Sequence, residues 1–297
     1  MKKIIEIKDF TKSFGSQTAV DNLSFDVYEG DIFAFLGSNG SGKTTTIRCL
    51  LDIYTPDSGT LHLFGRPYEF SMSKDIGYLP EERGIYTRSR VIDLFVYFGN
   101  LRGISTKDAL DNAHQYLERV GLIEHKDKQV SQLSSGMQQK VQVGLALQHH
   151  PRLLLLDEPF KGLDPLNRQL FIEMFKELKE QGVTIVYSTH VIDEAQRLTD
   201  RLVIINDGKR KAYGTTEEVR KTHGSEHIHL EFTGKFPKRS ELYTSVSTTK
   251  TAEIIPNKGV DPEEILQELL ASDLRIISFR IDLPSLNEVF IALSKDE

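Results

Sequence analysis

Five apolar residues, Ile32-Phe33-Ala34-Phe35-Leu36, run straight into Gly37-Ser38-Asn39-Gly40-Ser41-Gly42-Lys43-Thr44-Thr45. Ile47, Leu50 and Leu51 follow at helical spacing. A strand with no polar residue belongs in a sheet covered on both faces. The order is therefore buried strand, glycine loop, helix, and Gly37-x4-Gly42-Lys43-Thr44 matches a phosphate-binding loop. Its glycines let backbone N–H groups turn inward on phosphate oxygens, and the helix N-terminus adds positive potential. Lys43 would neutralise phosphate charge and the Thr44 hydroxyl would ligate Mg²⁺. A plain flexible Gly/Ser loop is the competing reading; the flanking strand and helix weigh against it. Residues Gly37, Ser38, Asn39, Gly40, Ser41, Gly42, Lys43, Thr44 and Thr45 are thus candidate nucleotide contacts.

Two further apolar runs, Leu153 to Leu156 and Val183 to Val186, are each followed by a helical pattern, and Leu202 to Ile205 reads as another strand. Strands of this type alternating with helices give an α/β fold with a largely parallel sheet. Ile4 to Ile7 and Leu23 to Val27 alternate as half-buried strands, and Asp207-Gly208 marks a hairpin into Lys209–Tyr213. Residues from about 88 to 150 read as a mostly helical subdomain. Thr215 and Glu218 form a capping box for a short helix. Past about Gly224 the pattern shifts to polar–apolar alternation, as in His227 to Phe232. A Ser/Thr/Lys-rich stretch, Thr244 to Thr251, separates this strand from one near Ala252–Ile255. Pro262 to Leu270 reads as a helix, Leu274 to Ile281 as a strand and Ser285 to Leu293 as a closing helix. These boundaries give one domain over 1–222 and a small α+β domain over 225–297.

Leu153-Leu154-Leu155-Leu156-Asp157-Glu158 ends a buried strand on two acids. Carboxylates at the C-terminal tip of a parallel strand face the crevice where such sheets bind ligands. Asp157 would hold Mg²⁺ and Glu158 would polarise an attacking water. Alone, Asp157 could simply cap its strand.

Together these motifs make the chain resemble the ATP-binding subunit of an ABC transporter over residues 1 to about 220. Leu133-Ser134-Ser135-Gly136-Met137 stands where that family has its Leu-Ser-Gly-Gly-Gln signature, at the start of a helix. Gly162-Leu163-Asp164 resembles the family's D-loop, and Thr189-His190 its switch histidine, which would contact the γ-phosphate. Phe14, between Ser13 and Gly15, resembles the aromatic that stacks on adenine; an ordinary core phenylalanine is the alternative. The resemblance implies an ATPase with composite sites. Each ATP would lie between the phosphate loop of one subunit and Ser134, Ser135 and Gly136 of the other, with Asp164 passing signals between them.

Four positions depart from the family pattern. Gly77-Tyr78-Leu79-Pro80 is followed by Glu81 where glutamine is usual, and Glu81 would still suit Mg²⁺. Ser135 replaces a signature glycine, Met137 its glutamine, and Lys161 stands where the D-loop often has serine. The Glu81-Glu82-Arg83-Gly84-Ile85-Tyr86 run, with Ser285-Leu286-Asn287-Glu288-Val289-Phe290, is similar to ATPases of ABC-2-type exporters of the sodium- and drug-efflux groups. On that resemblance the partners would be a second copy or a related ATPase subunit, and a membrane permease received by aromatics of residues 80–102 (Tyr86, Phe95, Tyr97, Phe98).

Composition narrows the alternatives. With 43 acidic and 37 basic residues the net charge is −6, against a nucleic-acid coat and a translation or DNA-repair ATPase. One cysteine, Cys49, excludes an intramolecular disulfide. No apolar run approaches the roughly 20 residues of a membrane span, so the expected location is cytoplasmic, peripheral on the inner membrane face through the permease. A non-hydrolysing nucleotide sensor is the remaining alternative, and Glu158 and His190 speak against it.

Overall fold

The computed structural model describes residues 2–82, 86–224, 227–237, 240–257 and 259–295. The chain forms two compact units, Met1–Tyr213 and Gly214–Glu297. Residues 83–85, part of the Glu81-to-Tyr86 run, and 225, the start assigned to the small domain, lie outside the described residues.

The first unit opens on two long strands, β1 (Lys3–Phe14) and β2 (Gln17–Tyr28), followed by β3 (Ile32–Leu36), α1 (Lys43–Leu50), β4 (Ser58–Leu63) and β5 (Ile76–Leu79). Helices α2 (Val91–Leu101), α3 (Thr106–Arg119) and α4 (Ser135–Leu147) come next, then β6 (Leu153–Asp157), α5 (Pro165–Glu180), β7 (Thr184–Thr189), α6 (Ile192–Leu198), β8 (Arg201–Asn206) and β9 (Lys209–Thr215). Six strands form one sheet in the order β5-β6-β7-β3-β8-β9, and β5, β6, β7, β3 and β8 pair in parallel. Every residue of β3, β6 and β7 is buried, as apolar runs without alternation require. Strands β2-β1-β4 form a separate antiparallel sheet. One core joins the two sheets, with Phe10, Phe25 and Val27 packed among Phe33, Phe35 and Leu155. Each such side chain withdrawn from water contributes about 1.5–3 kcal/mol.

The second unit contains α7 (Thr216–His223), β10 (His227–Gly234), β11 (Tyr243–Ser247), β12 (Thr251–Pro256), α8 (Pro262–Leu270), β13 (Leu274–Asp282) and α9 (Leu286–Lys295). Its antiparallel sheet runs β11-β12-β10-β13. Ile228, Leu230, Phe232, Ile254, Ile265 and Leu269 form its own core. Thr215 and Glu218 cap α7 reciprocally, the N-terminal signature legible in the sequence.

Three strands differ from the sequence pattern: β4, β5 and β11 were not anticipated. The Thr244-to-Thr251 stretch is not merely a separator, because Tyr243–Ser247 pairs with β12 along its length. β11 is an edge strand with Thr244 to Ser247 exposed, so it carries no apolar alternation.

Candidate functional site

The phosphate loop joins β3 to α1 under tight steric constraint. A Cβ on Gly37 would lie 2.3 Å from the Ile205 carbonyl oxygen, so no side chain fits there. Gly42, at φ 103°, caps α1 in the left-handed region without a side-chain hydrogen bond and abuts Ala19 and Val20. The N–H groups of the helix's first turn thus carry no capping side chain. Lys43 is buried and its ammonium donates to the carbonyl oxygens of Gly37 and Ser38, both at 2.9 Å. Burial lowers its pKa, opposed by the charges of Glu158, Asp157 and Glu81.

Residues Asn39, Gly40, Gly42, Lys43, Thr44 and Thr45 line one cleft together with Glu81, Asp157 and Glu158. The parallel register of β6 against β7 sets Asp157 opposite Ser188. The Ser188 hydroxyl donates to Asp157 Oδ1 and accepts the Glu158 backbone N–H at 3.0 Å. Burial raises the Asp157 pKa, and the neighbouring hydroxyls of Ser188 and Thr44 pull it back down. Asp157 Oδ2 is buried with no hydrogen-bond partner. A buried carboxylate oxygen left open beside a hydroxyl fits a divalent cation that also takes substrate oxygens, the usual arrangement for Mg²⁺. Among the described residues no cluster of three or more His, Cys, Asp or Glu forms an all-protein cage.

Glu158 follows β6 with φ 52°, the left-handed region for a residue with a Cβ. Gln139, buried on α4, donates to the Glu158 and Pro159 carbonyl oxygens at 3.3 and 3.0 Å and anchors the turn. His190 Nδ1 lies 2.9 Å from Glu158 Oε1. The Glu158 side chain is 10% exposed, whereas that of His190 is 53% exposed and faces solvent. This places a carboxylate in contact with an imidazole at the mouth of the cleft.

The signature segment does not line this cleft. Ser134 caps α4, its hydroxyl accepting from Met137 N at 3.3 Å, and Ser135 and Gly136 begin the helix. A Cβ on Gly136 would sit 2.9 Å from the Gly162 carbonyl oxygen, so signature and D-loop segments touch within one chain. Asp164 caps α5, accepting from the Asn167 backbone and side chain at 2.9 and 2.7 Å, which lowers its pKa. Phe14 is not a core residue: it is 46% exposed, edge-on to Tyr54 at 5.3 Å. Of the aromatics in residues 80–102, Phe95 is fully buried and Tyr86 and Tyr97 are exposed. Phe98 lines a second cleft with Tyr78, Pro80 and Arg102.

Ser188 and Gln139 are the site residues that sequence reading missed. Ser188 had a faint signal, a hydroxyl near the end of an apolar strand. Gln139 had none, because its value lies in reaching across to a turn after β6.

The ABC transporter family matches residues 20–161, and the family described as "ATP-binding protein DrrA1-3-like, C-terminal domain" matches residues 214–294. The chain is 36% identical to an uncharacterised ABC transporter ATP-binding protein, YhaQ of Bacillus subtilis, across 97% of both chains. It is 32% identical to the Nod factor export ATP-binding protein I of Rhizobium sp., across 100% of this chain and 98% of that one. A solved structure described as "Structure of ATP binding subunit of ABC transporter" superposes with a TM-score of 0.68 at 29% identity, covering 73% of this chain and 92% of the other. No described helix is long and apolar enough to cross a membrane. With a phosphate loop, a buried acid pair at the adjacent strand tip and full-length likeness to such subunits, the chain belongs to the ATP-binding ATPase subunits of ABC transporters.

Proposed function

We propose that the cleft between the phosphate loop and the tip of β6 binds ATP with Mg²⁺ and hydrolyses it, with Glu158 as general base. The observation that carries this reading is the Glu158 carboxylate, held by His190 at 2.9 Å in the same cleft as Lys43 and Thr44. The phosphate-loop residues Gly37 to Thr45 wrap the phosphates, and Lys43 turns from loop carbonyls to phosphate oxygens. Asp157, Thr44 and Glu81 hold the Mg²⁺, which neutralises phosphate charge. Glu158 takes a proton from a water whose oxygen attacks the γ-phosphorus, and ADP leaves with the bridging oxygen. His190 keeps Glu158 aimed and reaches the γ-phosphate from its exposed side. Phe14, exposed at the end of β1, stacks on adenine.

Ser134, Ser135 and Gly136 lie apart from their own chain's cleft, which supports a dimer in which they cap the partner's triphosphate. Asp164 then sits at the subunit junction. The second subunit is another copy or a related ATPase. The cargo moves through a permease of the ABC-2 exporter type, docked at Tyr86, Tyr97 and Phe98, which holds the chain on the inner face of the membrane. Export follows from the likeness to the Nod factor export protein, and the 225–297 domain is an accessory to the 1–222 ATPase domain. The acidic net charge of −6 agrees with a partner other than nucleic acid.

The test measures MgATP affinity and turnover of the full chain and recovers its partners from detergent-solubilised membranes. Expected are phosphate release, an affinity about 100-fold weaker in Lys43→Ala, from loss of charge-assisted bonds, and a multi-span membrane partner. A parent chain that neither binds nor cleaves ATP, or one recovered with ribosomes or DNA in a salt-sensitive manner, overturns the proposal.

A further inference from the structure

Glu81 and Lys161, the two charged departures from the family pattern, meet in space. They are 80 positions apart, yet Lys161 Nζ donates to Glu81 Oε1 at 3.0 Å. Glu81 follows the end of β5 and lines the phosphate cleft. Lys161 lies in the turn after β6, and its backbone N–H donates to the Glu158 carbonyl oxygen at 3.1 Å. That turn is fixed by Gln139 on one side and by the buried Phe160 on the other, so the ammonium is delivered from a firm base.

The electrostatic setting gives the pair a task. Three carboxylates, Glu81, Asp157 and Glu158, line the cleft beside one buried ammonium, Lys43. The Glu81 charge reaches the site: it favours the charged form of Lys43 and opposes ionisation of Asp157. A triphosphate adds further negative charge. Unbalanced, a carboxylate at Glu81 repels it, by a factor of roughly ten in affinity for like charges a few ångströms apart in a partly solvated site.

We propose that Lys161 is a positioning residue for Glu81: it holds that carboxylate against the turn after Glu158 and offsets its charge, so that a triphosphate is accepted in a cleft where three carboxylates lie beside one buried lysine. The inference rests on the proposed MgATP site. The pair's direct contribution to stability is small, because both side chains are about half exposed, 54% and 41%. Its effect falls on ligand binding.

A double-mutant cycle on the full chain tests this, with MgATP affinity measured in the parent, Lys161→Met, Glu81→Gln and the double variant, at low and high salt. Lys161→Met is expected to bind about 5- to 10-fold more weakly, with the deficit shrinking as salt screens it. Added to Glu81→Gln, whose amide keeps an acceptor oxygen without the charge, Lys161→Met should change affinity by less than about twofold relative to Glu81→Gln alone. All four should melt alike. Unchanged affinity in Lys161→Met, a loss that persists in the double variant relative to Glu81→Gln alone, or a shift in melting without a shift in affinity overturns the pairing. A parent that binds no MgATP sinks the underlying site as well, which separates the two failures.

Discussion

The two larger sheets of this molecule bury their strands in opposite ways. In the six-stranded parallel sheet β6 is buried at every position, whereas β12 of the four-stranded antiparallel sheet alternates exposed and buried side chains. A parallel strand covered on both faces has no room for chemistry along its length, so polar groups collect where it ends. Asp157, Glu158, Ser188, Thr189 and His190 all sit at such ends, and Glu158 is held in a left-handed backbone to do so. The antiparallel sheet keeps its titratable residues along an open face. His229 there lies 3.5 Å from Asp282, both side chains exposed, a contact of the kind worth little. The first arrangement concentrates function at strand tips; the second spreads polarity over a face and leaves the core to do the holding.

The contrast can be broken by mutation. Phe232→Ala removes a ring that is 1% exposed in the core of the second unit. It should cost that unit about 3–5 kcal/mol, read as a lower denaturation midpoint, while MgATP affinity stays within about twofold. Affinity that falls in step with the melt would mean that the phosphate site depends on the second unit's core.

A smaller effect separates the units by pH. His149 Nε2–H donates to the Ile76 carbonyl oxygen at 3.0 Å, and burial pushes its pKa from 6.5 down to about 4. The folded chain therefore holds it neutral while the unfolded chain binds a proton below pH 6.5. Its contribution is full above that pH and is lost as pH falls towards 4, about 2 kcal/mol after allowance for solvent screening. His149→Gln should flatten the acid side of the first unit's stability profile over that window and leave the second unit's unchanged. An acid limb of the same steepness in the variant would remove His149 as its cause.

Legibility in the sequence follows the same division. Strands β3, β6 and β7 announce themselves as uninterrupted apolar runs because both faces are covered. The strands that escaped notice, β4, β5 and β11, are all sheet edges. Edges are short or polar, as β4 (SGTLHL) and β11 (YTSVS) illustrate, because only one side pairs. The phosphate loop and the acid pair were readable since local geometry dictates their spacing. Ser188 and the Glu81–Lys161 contact were not, because they depend on strand register and on a turn that meets another strand's end. Phe14 needed the structure to separate an exposed ring from a core one.

The central claim is that Glu158 at the tip of β6 activates water in a cleft that binds MgATP. Glu158→Gln keeps the shape and an oxygen for His190 but removes the base. Its turnover, measured as phosphate release beside equilibrium MgATP binding, is predicted to fall at least about 100-fold with affinity within about threefold of the parent. Turnover equal to the parent's would contradict the account.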